Sequence, residues 1–260
     1  MTKTPKFRAA ATGDTLTLTC YDVIGENWDG SGITAENFKA AIDANPAASN
    51  ITLRVNSPGG DAFSGIAIYN LLKSYGKPIA VYVDGLAASA ASIVAMSASP
   101  GKLTMGAGSM AMIHNATTFT YGSADDLRRD ACVLDQLSDS IADIYVSRTG
   151  LSKSSVSGYM SAETWFTADE WVTAGFADKL VEDDDDDEDE DDGMPNASNK
   201  AFSKVLKSYK NLPEALKHPG KRTATKRAAD IPEPVAKPEP NNLTLYAAKA
   251  KLRPSKATAF

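Results

Sequence analysis

Histidine is the scarcest chemistry-bearing residue in this chain: there are two, His114 and His218. His218 lies in a basic C-terminal tail that reads as mobile, a poor place for a preorganised site. His114 follows Met110-Ala-Met-Ile113, a short strand-like run, and a residue at a strand end is well placed to face a cleft. If the protein does histidine-based acid–base chemistry, His114 is its base; a lone histidine serves structure at least as readily. A candidate nucleophile stands upstream in Asp84-Gly85-Leu86-Ala87-Ala88-Ser89-Ala90-Ala91-Ser92, directly after the strand pattern Ile79 to Val83. A strand that turns tightly into a helix of small residues sets a hydroxyl at the helix N-terminus, among unsatisfied N–H groups. The same letters also read as a tightly packed helix seam, and Ser92 competes with Ser89. The third piece is the turn Ser57-Pro58-Gly59-Gly60. Two glycines after a proline permit positive φ and expose backbone N–H groups, the donors that an oxyanion requires.

These pieces need strands and helices to hold them. Thr15 to Tyr21 alternates with the two-residue period of a strand, and Ile51 to Val55 and Ile79 to Val83 read as further strands. Short strands are expected near Lys102 to Met105 and Met110 to Ile113. Helices are expected from Thr34, the N-cap, to about Ala44, over Ala62 to Ser74, and over Ala88 to Ser97. Ser123 to Thr149 is a long helix capped by Ser123, with Leu127, Ala131, Leu134, Ile141 and Tyr145 at helical spacing. Thr167 to Ala174 is a short one, with a Thr167/Glu170 capping box and Gly175 as its stop. Repeated strand–helix–strand units point to an α/β domain on a largely parallel sheet.

That patterning ends near Val181. Residues 182–192 are an unbroken acidic run, and residues 193–260 are strongly basic, so the net charge of −6 hides two opposed blocks. Like charges in sequence cannot be buried cheaply. The expected organisation is a folded domain over residues 1–181, an acidic linker over 182–192, and a basic, proline-containing, disordered tail over 193–260. Within the tail, Phe202, Val205, Leu206 and Tyr209 share one helical face, which fits a short amphipathic helix. The two cysteines, Cys20 and Cys132, read as reduced, partly buried thiols in an intracellular setting. The N-terminal residues lack a signal-peptide core, and the most apolar run, Leu86 to Ala98, is about half a membrane span, so no membrane association is expected.

Singly these motifs are weak; in this order and spacing they resemble the Clp-type serine peptidases. The resemblance rests on Asn56-Ser57-Pro58-Gly59-Gly60, on Gly85-Leu86-Ala87-Ala88-Ser89-Ala90, on a histidine 25 residues beyond the serine, and on the closing pattern Glu163 to Asp178 (ETWFTADEWVTAGFAD). It spans roughly Thr15 to Val181. The fold it implies is ClpP/crotonase-like, with repeated β-β-α units and a long handle helix, here Ser123 to Thr149, followed by a mobile charged extension. Carried over position by position, Ser89 is the nucleophile, His114 the base, and the N–H groups of Gly60 and Ala90 the oxyanion hole. The acid of the triad falls on Glu163, where the family usually has aspartate; Asp169 is the fallback. An extended peptide substrate would add as a strand between Asp61, Ala62 and Phe63 on one side and Thr117, Thr118 and Phe119 on the other. No metal and no cofactor is implied, and neither nucleic acid nor membrane is needed. The implied partners are protein substrates and further copies of the chain in a homo-oligomeric ring.

Within that family the charged extension and the glutamate variant look most like the bacteriophage prohead, or head-maturation, proteases. The leading expectation is therefore an ATP-independent serine endopeptidase that cleaves capsid and scaffold proteins in the host cytoplasm, inside an assembling head. Alternatives are a housekeeping Clp proteolytic subunit working with an unfoldase, a crotonase-like acyl-CoA enzyme, and an inactive scaffold.

Overall fold

The computed structural model describes residues 7–26, 32–181 and 200–217. The acidic run, His218 and the proline-rich part of the tail lie outside the described residues. In chain order the elements are β1 (Phe7–Thr12), β2 (Thr15–Cys20), β3 (Gly25–Glu26), β4 (Gly32–Ile33), α1 (Ala35–Ala44), β5 (Asn50–Ser57), α2 (Ala62–Ser74), β6 (Ile79–Ala88) and α3 (Ala90–Ala95). They continue with β7 (Leu103–Met105), β8 (Met110–Ile113), α4 (Ala124–Thr149), α5 (Lys153–Ser161), β9 (Thr164–Thr167), α6 (Ala168–Thr173), β10 (Lys179–Leu180), α7 (Lys200–Leu206) and α8 (Glu214–Lys217).

The main sheet runs β1-β2-β5-β6-β7-β10, parallel throughout except for β1, which returns antiparallel along β2. Alternation explains the central strands: Leu16, Leu18 and Cys20 of β2 and Ile51, Leu53 and Val55 of β5 turn to one buried face, and their neighbours do not. Phe38 of α1, Ile68 and Leu72 of α2 and Ile93 and Val94 of α3 complete that core.

The branching of β6 matters most for the site. Val81 to Val83 pair with β7, and Leu86 to Ala88 pair instead with β8. The register against β5 shifts between Val55 and Ser57, so that Ser57 sits opposite Ala87. One ten-residue strand therefore brings the ends of β5 and β8 to its own C-terminal end, the usual position for ligand crevices in open α/β sheets. β9 closes the small branch antiparallel to β8.

The long helix α4 is capped by Ser123 through a capping box and stopped by Gly150 in the left-handed region. Its C-terminal half is buried on the domain through Ile141, Ala142 and Tyr145; Leu127 and Val133 remain exposed.

Several elements depart from the sequence-based expectation. The helix expected over Ala88 to Ser97 spans only Ala90–Ala95, because Ala88 still pairs with Met112 and Ser89 is non-helical, at φ 52° and ψ −121°. β1 and α5 were not anticipated. Cys20 is fully buried, whereas Cys132 is exposed on α4; both are free. Within the stretch expected to be a disordered tail, residues 200–217 form α7 and α8, and Phe202 packs against Leu86, Ala88 and Met112 of the domain. Among the described residues no helix is long and apolar enough to cross a membrane.

Candidate active site

The site begins with a backbone constraint. β6 must end where β8 begins to pair, and α3 must start at once, so Ser89 occupies a sharp corner at positive φ. Non-glycine residues hold such a conformation only where their surroundings over-determine it. Here the Ser89 N–H donates to Met112 O at 2.8 Å, fastening the corner to the neighbouring strand. The corner also needs room. A Cβ at Gly59 would lie 2.4 Å from Ala88 O and 2.9 Å from Ser89 Cβ, so only glycine lets the two turns approach this closely. The Ser57-Pro58-Gly59-Gly60 turn is fixed in its turn by Ser57, whose Oγ donates to Asp22 O (2.5 Å) and accepts from Gly59 N–H (3.1 Å).

His114 is the first residue beyond β8, two steps past the stretch that pairs with the end of β6. Strand pairing therefore delivers it to the serine: Ser89 Oγ and His114 Nε2 are 2.7 Å apart. Burial holds the imidazole pKa below its ordinary value; the Glu163 charge opposes that shift and Lys210 adds to it. A neutral imidazole in contact with a hydroxyl is the arrangement that removes the hydroxyl proton during attack on a carbonyl.

The N–H groups of Gly60 and Ala90 have no acceptor among the described residues. Gly60 follows Gly59, which packs directly on the Ser89 corner, and Ala90 opens α3, so both unpaired donors lie beside the serine. A cleft of about 520 Å³ opens over Ser89 and His114, and Gly60, Asp61, Ala62, Phe63, Thr117, Thr118 and Phe119 all line it. Asp61 also caps α2, accepting from Ser64 N–H at 2.7 Å. Phe63 and Phe119 are largely exposed at the cleft, unpartnered apolar surface beside the reacting pair.

Two competing assignments separate on geometry. Ser92 is fully buried, its Oγ donating to Ser89 O (2.6 Å) and exchanging a hydrogen bond with Tyr145 Oη (2.8 Å). Asp169 lies exposed in the first turn of α6, where its charge complements the helix N-terminus.

Glu163 is the residue that the structure does not join to the others. It follows α5 at φ 49°, and its carboxylate accepts hydrogen bonds from the N–H groups of Lys210 (3.1 Å) and Asn211 (2.6 Å). It influences His114 through its charge, without a hydrogen bond between them. Sequence reasoning missed the residue that intervenes. Tyr209 stands edge-on to the His114 ring, with centroids 5.3 Å apart, and its hydroxyl donates to Pro58 O at 2.5 Å. Burial pushes that phenol up to about 12. The only sequence signal for Tyr209 was its place on the apolar face of α7 and the turn after it. Among the described residues no group of three or more His, Cys, Asp or Glu is arranged to hold a metal ion.

Comparison with known proteins adds the lineage. The family model described as Clp protease matches residues 37–184. The chain is 35% identical over 129 residues to the ATP-dependent Clp protease proteolytic subunit 1 of Protochlamydia amoebophila, covering 49% of this chain and 63% of that protein. It is 31% identical over 132 residues to the ATP-dependent Clp protease proteolytic subunit 3 of Rhodococcus jostii, covering 51% of this chain and 65% of that one. The chain thus spans just under two thirds of the length of these two relatives. Among solved structures, a point mutant of ClpP1 from Listeria monocytogenes superposes with a TM-score of 0.57 at 20% identity, over 65% of this chain and 92% of that one, a likeness of fold.

Proposed function

The chain belongs to the Clp protease family, and from that premise we propose that it is a serine endopeptidase in which Ser89 attacks the peptide carbonyl and His114 takes its proton. The observation that carries this reading is the 2.7 Å contact between Ser89 Oγ and His114 Nε2 at the end of β6, beside two N–H donors with no acceptor among the described residues. In the proposed cycle a peptide lies extended between residues 61–63 and 117–119. Ser89 forms the tetrahedral intermediate, Gly60 and Ala90 donate to its oxyanion, and His114 returns the proton to the leaving amine. Water then hydrolyses the acyl-enzyme by the same steps. Glu163 is the carboxylate available to stabilise the imidazolium. The test is labelling with a fluorophosphonate, followed by peptide mapping. Modification at Ser89, absent from Ser89→Ala, is expected; its complete absence would return the chain to the acyl-CoA or inactive-scaffold alternatives.

The relatives' names, ATP-dependent proteolytic subunits, favour a proteolytic subunit that receives protein chains from an ATP-driven unfoldase and works as a homo-oligomeric ring. Leu127, exposed on the N-terminal half of α4, supports a contact between copies. A second reading, cleavage of capsid and scaffold proteins in an assembling phage head, rests on the oppositely charged blocks 182–192 and 193–260, which lie largely beyond the matched region. Adding an unfoldase with ATP separates the two. Strong stimulation on a folded substrate favours the first reading, and ATP-independent cleavage of co-expressed capsid protein favours the second.

A further inference from the structure

Residues 200–217 dock against the catalytic pair. Leu86, Ala88 and Met112, at the junction of β6 and β8, form an apolar floor that Phe202 fills, with Leu206 and Tyr209 packed around it. Phe202 is left 7% exposed. Tyr209 is held from three sides: by the edge of His114, by Trp165 with ring centroids 5.8 Å apart, and by Pro58 O in the turn that presents Gly60. Immediately after it, Lys210 and Asn211 give their N–H groups to Glu163, and the Asn211 side-chain amide donates to Ala162 O at 2.8 Å. Val205, Ser208 and Tyr209 form part of the wall of the cleft over Ser89.

We propose that the surface formed by Leu86, Ala88, Met112 and Trp165 is a docking site for the chain's own residues 200–217, and that the docked segment restricts the active-site cleft from one side. The inference rests on the peptidase reading of Ser89 and His114. Three contacts restrict the site. The Tyr209 ring occupies space beside the imidazole that an approaching acyl group needs. Its hydroxyl ties the segment to Pro58 O, in the turn that presents Gly60. The backbone of Lys210 and Asn211 holds the Glu163 carboxylate, whose other candidate partner is the His114 ring. Glu163 thus has two alternative roles: anchor of the segment when it is docked, and neighbour of the imidazole when it leaves. The contacts are apolar burial plus hydrogen bonds, with no covalent link, so the segment is a reversible occupant. Because it is tethered, its effective concentration at the surface is high and docking needs little intrinsic affinity. The apparent activity then scales with the fraction of chains in which the segment is away.

The experiment compares the full chain with its Phe202→Asp and Tyr209→Ala variants. Phe202 lies outside the catalytic machinery, and its side chain is buried only against the docking floor. Three readouts are taken: amide hydrogen exchange over residues 200–217, the rate of fluorophosphonate labelling at Ser89, and hydrolysis of a short fluorogenic peptide. Protection of 200–217 is expected in the wild-type chain and its loss in Phe202→Asp. Labelling and hydrolysis should then rise about tenfold or more in both variants, as expected when a minor open population becomes dominant. Equal labelling and hydrolysis in all three chains would overturn the inference and leave the peptidase reading standing. Unprotected amides over 200–217 in the wild-type chain would do the same. No labelling in any chain would overturn both.

Discussion

The two halves of the candidate site are built differently. The Ser89–His114 half is set by strand pairing: β6 carries the serine, β8 carries the histidine, and Leu86 to Ala88 lie alongside Met110 to Met112. Little can move there without breaking the sheet, and the Oγ to Nε2 distance of 2.7 Å needs no ligand to establish it. The Glu163 half is set by a turn. Glu163 leaves α5 at positive φ and points its carboxylate at backbone N–H groups of the C-terminal segment. A sheet fixes geometry through many cooperative hydrogen bonds, whereas a turn residue takes whichever partner is nearest. The pair is therefore preassembled, and the third member depends on what covers the site.

The sharpest way to break the first half is Ser89→Ala. It deletes the nucleophile's oxygen and leaves the corner's backbone bond to Met112 O in place. Peptide hydrolysis should fall by on the order of 10⁴-fold or more, with unchanged circular dichroism. A fall of less than about tenfold would mean that another group does the chemistry.

Next in size is Glu163→Gln, which probes the second half. If the carboxylate stabilises the imidazolium once the segment has moved away, kcat should drop by on the order of 10²–10⁴-fold in the Phe202→Asp background. The Asp169→Asn change should leave kcat there within about twofold, since Asp169 is exposed on α6 and is not among the charges that act on His114. The reverse pattern would move the acid to Asp169.

This division also explains what the sequence made legible. The serine corner, the Pro-Gly-Gly turn and the histidine at a strand end are local chemistry, written in adjacent residues. The long helix α4 announces itself by its Ser123 cap and by Leu127, Ala131, Leu134, Ile141 and Tyr145 at helical spacing. The helix α5, Lys-Ser-Ser-Val-Ser-Gly-Tyr-Met-Ser, has four serines and a glycine, residues with weak helix propensity, and it exists because Val156 and Met160 are buried against the core. β1 has no alternating pattern because most of it is exposed. The apolar face of Phe202, Leu206 and Tyr209 was visible, but an amphipathic stripe does not say which surface it covers. The small apolar floor at Leu86, Ala88 and Met112 exists only once β6 and β8 have paired, so no local pattern could reveal it. The partners of Glu163 were hidden for the same reason.

The pH profile tests the coupling of the two halves with a smaller effect. Burial is the main cause holding the His114 pKa down; Lys210 acts in the same direction and Glu163 against it. A base must be neutral to accept the serine proton, so activity should rise with pH through a midpoint below the ordinary histidine value of about 6.5 and level off above it. Undocking residues 200–217 would return water to the imidazole and remove Lys210, and both changes raise its pKa. The midpoint of kcat/KM in Phe202→Asp should therefore lie at higher pH than in the wild-type chain. An identical midpoint would mean that Tyr209 and Lys210 do not shield His114 in solution.

The smallest effect on turnover is expected one helical turn from the nucleophile, at Ser92. Ser89 and Ser92 belong to the same run, Asp84 to Ser92, and only the fold tells them apart. Ser89 faces the cleft, and Ser92 faces the core, where its hydroxyl links the Ser89 carbonyl to Tyr145. Ser92→Ala removes no group that touches substrate, so kcat/KM should stay within about threefold of wild type. Stability should respond instead. Tyr145 is buried, and without Ser92 its hydroxyl loses its hydrogen-bond partner, at a cost of about 1–3 kcal/mol. Urea denaturation of the catalytically silent Ser89→Ala chain, with and without Ser92→Ala, measures that cost free of self-digestion. Adding Tyr145→Phe should recover part of it, since the orphaned hydroxyl is then gone. A large loss of turnover in Ser92→Ala without loss of stability would place Ser92 in the chemistry and remove the distinction on which the Ser89 assignment rests.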